Sequence, residues 1–291
     1  MIERLCFPIA IHRTKFCQVI LAAGIASLLW ISTCLTAIAA PKADLWPKWQ
    51  KHNSHNKQTI SHSPWNFFLK HYLDRDHISG VHRINYKMVK KEDQQLLSNY
   101  IKTLESISIS SYSRSEQAAY WINLYNALTI KVILDHYPVE SILKINISPG
   151  FFNFGPWDAK LLQIEGEELS LNDIEHRILR PIWKNPLIHY AVNCASIGCP
   201  NLAPVPYTSK NMETLLEQGA KNYINHPRGV TFKDDELWIS KIYIWFEEDF
   251  MGNQAGILQH LQKYASSKLA KQLQSYDGDI ESDYNWNLNE P

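Results

Sequence analysis

Residues 113–138 read SRSEQAAYWINLYNALTIKVILDHYP. Ser113 followed by Glu116 has the form of a capping box, in which two side chains satisfy free N–H groups at the start of a helix. Pro138 has no N–H with which to continue a helix. The pattern therefore predicts a helix that runs to about His136. Because its residues are apolar on nearly every face, we expect it to be buried, with the rest of the domain packed around it.

Two asparagines interrupt the apolar surface of this helix. Asn123 and Asn126 are three residues apart and therefore share one face. A buried amide without partners costs about 1–3 kcal/mol, so both side chains need hydrogen bonds. One interpretation is a structural network that clamps a loop, and the other is the polar wall of a site.

Shorter elements surround the central helix. Apolar periodicity predicts a helix that begins at Trp65 and another over residues 88–107. Two pairs of short β-prone runs, separated at residues 165–166 and 233–235, predict hairpins. Residues 187–193 are apolar and are interpreted as a central strand. Since helices are mixed with hairpins, the sequence predicts a single α+β domain over residues 65–291.

The beginning of the chain has the features of an export signal. Basic residues precede an uncharged apolar run over residues 19–40, which ends in the small residues typical of a cleavage site. This pattern predicts a secretory signal peptide over residues 1–39, with an uncleaved anchor as the alternative. Residues 40–64 are polar and rich in histidine and are interpreted as a linker. We expect an exported protein, in the periplasm, in the cell envelope or secreted, that contacts a membrane only through an uncleaved leader.

Charge and motifs exclude several classes of function. The 29 basic and 29 acidic residues balance, and removal of residues 1–39 leaves 26 and 28, a net charge of −2. Nucleic-acid binders show a basic excess, so no nucleic-acid partner is expected, and the sequence identifies no other partner. Glycine-rich nucleotide motifs and zinc-protease motifs are absent, and the histidines of residues 52–82 follow no helical or strand face. We therefore expect no cofactor and no metal.

The most distinctive stretch is residues 189–200, HYAVNCASIGCP. Cys194 is a candidate nucleophile, because a turn of small residues can expose a thiol and its free N–H groups favour the thiolate. The candidate general bases are His176 and His189, and the candidate orienting groups are Glu175 and Asn193. Ser196 lies in the same turn and is a supporting candidate.

Two observations weigh against a catalytic cysteine. On a strand, His189 would face away from Cys194, so the base would come from elsewhere. Cys194 and Cys199 could also form a disulfide, because an exported chain meets an oxidising compartment and the other three cysteines lie in the leader. Buried thiols and a metal site are the remaining alternatives.

The chain resembles the bacterial and plant family catalogued as domain of unknown function 547. The resemblance covers about residues 65–290, and its motifs stand in the order and spacing of that family. The matching segments are residues 120–130, 169–182, 188–201 and 239–251.

The resemblance carries over to individual positions. Family members typically have the pair that matches Asn193-Cys194, and the acidic–His pair that matches Glu175-His176 also recurs. Some plant-type relatives have serine at the position of Cys199, which implies that a disulfide is not obligatory and draws attention to Cys194. The family name itself records no activity.

Two hypotheses follow for the function. The first is a thiol-dependent hydrolase or acyl transferase, with Cys194 as nucleophile, that acts on peptide-like amides or esters in the cell envelope. The second is a non-catalytic envelope module for binding or assembly, in which the cysteine pair is structural.

Overall fold

The computed structural model describes residues 41–150 and 154–291. The predicted signal peptide lies outside these residues. They build helices and short antiparallel hairpins, which confirms the predicted α+β fold. In the two described ranges, no helix combines the length and the apolar character needed to cross a membrane.

The α-helices pack side by side around one apolar core, and several are joined by short 3₁₀ turns. They are α1 (Ser63–Tyr72), α2 (Lys91–Glu105), α3 (Arg114–His136), α4 (Arg180–Trp183), α5 (Met212–Ile224), α6 (Lys241–Trp245), α7 (Gln254–Tyr264) and α8 (Ser267–Gln274). A π-helix, Asp173–Leu179, runs directly into α4.

Helix α3 is the central element, as predicted. The Ser113 side chain accepts a hydrogen bond from the N–H of Glu116, which caps the helix as expected. The Glu116 carboxylate does not complete the capping box but accepts the N–H of Ile60 at 2.7 Å. It is buried there, so the first turn of α3 also holds the chain that leads into α1.

The strands form three small sheets. They are β1 (Leu73–Asp74), β2 (Arg83–Ile84), β3 (Leu162–Ile164), β4 (Glu167–Leu169), β5 (Val230–Lys233), β6 (Glu236–Ser240) and β7 (Ile280–Asp283). Both predicted hairpins are present, β3 with β4 and β5 with β6. Strand β7, which the sequence did not predict, adds to β6 in parallel and places Asp283 beside Ser240.

The predicted central strand over residues 187–193 is wrong. A 3₁₀ helix, Pro186–Tyr190, occupies its first half. The side chain of Asn185 accepts the N–H of Leu187 at 3.0 Å and starts this helical turn, while Pro186 offers no N–H to a strand ladder. A short apolar run indicates burial but does not distinguish a strand from a helical turn. The argument that His189 faces away from Cys194 assumed a strand, so it no longer holds.

Residues 41–64, most of the segment interpreted from the sequence as a linker, lie in the same compact unit as the rest of the described chain. Pro181 has no N–H to donate back into the π-helix, which leaves one of its carbonyls without a helical partner, and the carbonyls of His176 and Arg177 accept the N–H groups of Asp44 (2.9 Å) and Trp46 (3.0 Å). Trp49 lies in the chain between these bonds and α1, and it is buried, with 2 % of its surface exposed. The segment therefore docks by backbone pairing and one tryptophan, in spite of its polar composition.

Candidate functional site

The structure divides the residues predicted from the sequence into two groups. The first lies in residues 193–200, which we call the cysteine turn. The second, which we call the charged cluster, consists of five side chains: Glu175, His176, Arg180, His189 and Asp249.

Asn126 on α3 fixes the entry to the cysteine turn. Its amide donates to the carbonyl of Ala191 (2.8 Å), and its oxygen accepts from the N–H of Asn193 (2.9 Å). Asn193 spans the turn, donating to the carbonyl of Pro200 (2.7 Å) and accepting from the N–H of Ala195 (2.8 Å). Ala195 has a φ of 58°, a left-handed conformation that these bonds hold in place.

Asn123 holds a second loop in the same way. Its amide donates to the carbonyl of Tyr207 (2.7 Å) and its oxygen accepts from the N–H of that residue (3.0 Å). Both asparagines therefore act as clamps, one of the two interpretations open from the sequence.

The end of the chain covers the other side of the cysteine turn. The N–H groups of Ile197 and Gly198 donate to the carbonyls of Asn287 and Asn285, both at 2.8 Å. A Cβ atom at Gly198 would lie 2.9 Å from backbone atoms of Asn285, so this close approach requires glycine. Hydrogen bonds from two sides thus fix the turn.

The sulfur atoms of Cys194 and Cys199 lie side by side, as a pair that can form a disulfide. Cys194 is half-buried and Cys199 is buried. The Tyr284 hydroxyl lies 3.0 Å from the Sγ of Cys194 and 3.2 Å from the Sγ of Cys199, and Ser196 Oγ lies 3.2 Å from the former. The N–H of Cys194 donates to the Sγ of Cys199 at 2.9 Å. Both sulfurs therefore face hydrogen-bond donors, and in the described chain neither is hydrogen-bonded to a histidine.

A cation lies behind the turn without a carboxylate partner. Arg228 donates to the carbonyl of Ile197 (3.1 Å) and to Asn201 Oδ1 (2.6 Å), and no carboxylate of the described ranges lies within 4 Å of it. Burial lowers the pKa of Arg228 to about 10, so it remains charged at neutral pH. Burial also raises the pKa of Tyr284 well above its usual value, so its hydroxyl stays protonated and can donate. This environment favours a thiolate.

The side chains of the charged cluster pair with one another. Asp249 Oδ2 accepts from both His189 Nε2 and Arg180 Nε, each at 2.6 Å. His189 Nδ1 lies 3.9 Å from Glu175 Oε1, and a guanidinium nitrogen of Arg180 lies 3.1 Å from His176 Nδ1. Each ring nitrogen of His189 therefore faces a carboxylate.

The pKa values follow from these contacts. Burial alone would raise the pKa of Asp249, but hydrogen bonds from His189 and Arg180 outweigh it and lower the pKa to about 2. Burial lowers the pKa of His176 to about 4, so its neutral ring can accept from Arg180. His189 also stacks on Phe246, with ring centroids 4.4 Å apart.

Glu175, a member of the charged cluster, also influences residues near the cysteine turn. It acts on Tyr125 of α3: burial, with a further contribution from Glu175, raises the pKa of the Tyr125 hydroxyl. Glu175 is also one of the groups that raise the pKa of Tyr284, after burial and Tyr223. The π-helix buries the adjacent side chains Glu175 and His176 together, and π-helical turns are frequent at functional sites.

Comparison with known proteins adds a family. The family described as "Protein of unknown function, DUF547" matches residues 109–224. This protein contains a DUF547 domain. Neither the curated proteins nor the solved structures contain a match.

The match confirms the resemblance found in the sequence, over a shorter range than expected. It spans the DUF547 domain from the turn before α3 to the end of α5 and includes Glu175, His176, His189 and Cys194. Asp249 and Tyr284 lie beyond it. Within the described residues, no group of His, Cys, Asp or Glu side chains could hold a metal ion.

Three residues that complete the two groups were missed at the sequence level. Arg180 and Asp249 stand inside the motifs that carried the family resemblance, so their presence there was the available signal. Tyr284 gave no signal, because only the folded chain brings it to the sulfurs.

Proposed function

We propose that this protein carries out thiol–disulfide exchange with thiols of other exported proteins, through the Cys194–Cys199 pair. One observation carries the proposal: the outer sulfur is half-buried, the inner one is buried, and hydrogen-bond donors face both. Reactive cysteines are partly exposed and lie in electropositive surroundings, which Arg228 and Tyr284 provide here.

The exchange has two balanced steps. A substrate thiolate attacks the Sγ of Cys194, a sulfur–sulfur bond forms, and the bond to Cys199 breaks. Cys199 leaves as a thiolate, which the N–H of Cys194 and the hydroxyl of Tyr284 stabilise. A second thiolate of the same substrate then attacks the substrate sulfur of the mixed disulfide and displaces Cys194, and Cys194 and Cys199 each take up one of the two protons that the substrate thiols have lost. The substrate dithiol is oxidised to a disulfide and the cysteine pair is reduced to two thiols.

The same contacts give less support to a thiol-dependent hydrolase or acyl transferase. That chemistry needs a base beside Cys194. The candidate bases His176 and His189 are hydrogen-bonded to Arg180 and Asp249, and Tyr284 is a donor. The hypothesis stays a prediction that depends on a base reaching Cys194.

The second candidate is the non-catalytic envelope module with a structural cysteine pair. The burial of Cys199 and the extensive clamping of the turn favour it. In that case the bond closes a short loop and contributes about 2 kcal/mol to folding.

Trapping distinguishes these candidates. Cys199→Ser leaves Cys194 as a free thiol, which we expect to form a mixed disulfide with a disulfide-containing peptide. Cys194→Ser leaves the buried Cys199 as the remaining thiol of the pair and is the matched control, expected to react far more slowly. Mass spectrometry of the folded variants gives the extent of trapping over time.

Two results would contradict the proposal. If neither variant is trapped unless the protein is unfolded, the pair is structural and the module remains. If the reduced protein instead releases nitrophenol from a nitrophenyl ester, and Cys194→Ser abolishes this release, acyl transfer is the chemistry.

A further inference from the structure

The half-buried tryptophans of this domain fall into two sets. Those of the first set lie beneath a cation of the same chain. They are Trp46 under Arg177 (4.3 Å from the ring centroid), Trp183 under Arg114 (5.4 Å) and Trp238 under Lys233 (4.7 Å).

The second set is Trp157, Trp245 and Trp286, and in the described chain no cation lies over any of them. Their ring centroids lie 5.8 Å (Trp157 to Trp286) and 5.5 Å (Trp245 to Trp286) apart. Tyr284 completes the group, 4.9 Å from Trp245 and 4.6 Å from Trp286. We call these four half-buried rings the aromatic patch.

Several acidic residues lie within a few positions of the patch residues in the sequence. They are exposed or half-buried, and in the described ranges none forms an ion pair: Asp158, Glu247, Glu248 and Asp283. Two cations lie nearby in the sequence. Lys160 is paired with Asp173, and Lys241 is half-buried. Among the chain neighbours of the patch, acidic side chains without an ion pair therefore outnumber basic ones, while the charge of Arg228 lies behind the cysteine turn.

We infer that the aromatic patch binds lysine or arginine side chains of a polypeptide segment. A cation over the face of a tryptophan is attracted by the ring, and acidic side chains nearby strengthen the selection for positive charge. The tryptophans of the first set already have a cation of the same chain over their rings. Those of the patch have none in the described chain, so a partner can supply the cation.

The position of Tyr284 connects this binding surface to the cysteine turn. Its ring belongs to the patch and its hydroxyl lies at both sulfurs. A basic segment on the patch would therefore hold a nearby substrate cysteine beside Cys194. This role in exchange rests on the proposed function, whereas the binding itself does not.

The test measures binding apart from exchange, in the Cys194→Ser/Cys199→Ser double variant. The probe is a cysteine-free peptide rich in lysine and arginine, and its matched control has glutamine at every basic position. We expect calorimetry to detect binding of the basic peptide only, and the affinity to fall as salt is raised. In ¹H–¹⁵N spectra, the indole signals of the three patch tryptophans should shift.

Variants locate the surface. In the same double variant, Trp286→Leu should weaken binding about tenfold, while Trp238→Leu, which alters a tryptophan with its own cation, should not. Glu247→Gln/Glu248→Gln replaces exposed residues without threatening the fold and should weaken binding several-fold. The matched control is Glu92→Gln/Glu213→Gln, at exposed positions on α2 and α5.

Three outcomes would overturn the inference. They are equal binding of the glutamine peptide, equal effects of the two tryptophan variants, and binding of an uncharged oligosaccharide that shifts the same indole signals more strongly. Binding that follows the prediction while the wild-type pair proves inert to thiols would keep the surface and remove only the exchange function.

Discussion

The cysteine turn and the charged cluster satisfy their polar groups in opposite ways. In the charged cluster, Arg180 and His189 meet the carboxylate of Asp249, and the whole group is closed within the core apart from one side of that carboxylate. In the cysteine turn, neutral donors face two sulfurs, one of which is half-buried, and an arginine without a carboxylate partner lies behind the turn. The difference teaches that titratable residues in a family motif can serve folding, while reactivity depends on groups left partly unsatisfied.

Replacing Asp249 with alanine has the largest expected effect. It leaves the guanidinium of Arg180 buried without its carboxylate, so we expect the free energy of unfolding to fall by about 3–5 kcal/mol. Denaturant titration measures the change. The matched control, Glu248→Ala at an exposed neighbouring position, should stay within about 0.5 kcal/mol. Equal effects would show that the charged cluster is not a paired network.

Asn126→Ala tests the other side of the comparison. It leaves the carbonyl of Ala191 and the N–H of Asn193 unpaired in the core, at a cost of about 2–4 kcal/mol. Thermal and denaturant unfolding give the loss, with Asn99→Ala on the exposed face of α2 as the control. A loss no larger than that of the control would mean that the cysteine turn holds its shape without this clamp.

The Cys194→Ser/Cys199→Ser variant should lose less, about 2 kcal/mol, because it opens only a short loop that hydrogen bonds already fix. The measurement is denaturant unfolding beside the wild type in the oxidised and reduced states. If the double variant fails to fold, the cysteine pair is needed for folding, as the charged cluster is. The difference between the two regions would then disappear.

A separate effect concerns the pH dependence of stability. The pKa of His176 is lowered to about 4 by burial, so between pH 6.5 and 4 the unfolded chain binds a proton that the folded chain does not. The resulting stability is complete above pH 6.5 and is lost as the pH falls towards 4. We expect His176→Gln to flatten this dependence by about 1 kcal/mol per pH unit. Denaturant titrations across this range provide the check.

That check needs a control, because other histidines titrate in the same way. Burial also lowers the pKa values of His62 and His260 to about 4. His62→Gln should therefore flatten the curve similarly, whereas Asn99→Ala, which removes no titratable group, should not change its slope. An unchanged slope in His176→Gln would mean that this ring binds its proton equally in the folded and unfolded states.

Local signals predicted much of the fold. The cap at Ser113 and the stop before Pro138 gave the bounds of α3 almost to the residue, and the turn residues gave both hairpins. These signals act through neighbours in the chain, so the sequence displays them directly.

The rest depended on partners far apart in the chain. Residues 187–193 are apolar because they are buried, which a strand and a 3₁₀ helix explain equally well. Asp249 and Tyr284 gain their roles only where folding brings them to His189 and Cys194, and no local pattern reports such a meeting. The candidate site was therefore found in part: its motif residues were predicted, but neither its division into two groups nor its partners.

Pro181 has a consequence for the order in which the chain folds. The carbonyls that receive the N–H groups of Asp44 and Trp46 belong to the π-helix, which is synthesised much later than the segment that needs them. The backbone hydrogen bonds of residues 41–46 can therefore form only once the π-helix is present. We expect their amides to gain protection from hydrogen exchange late in refolding, after those of α3.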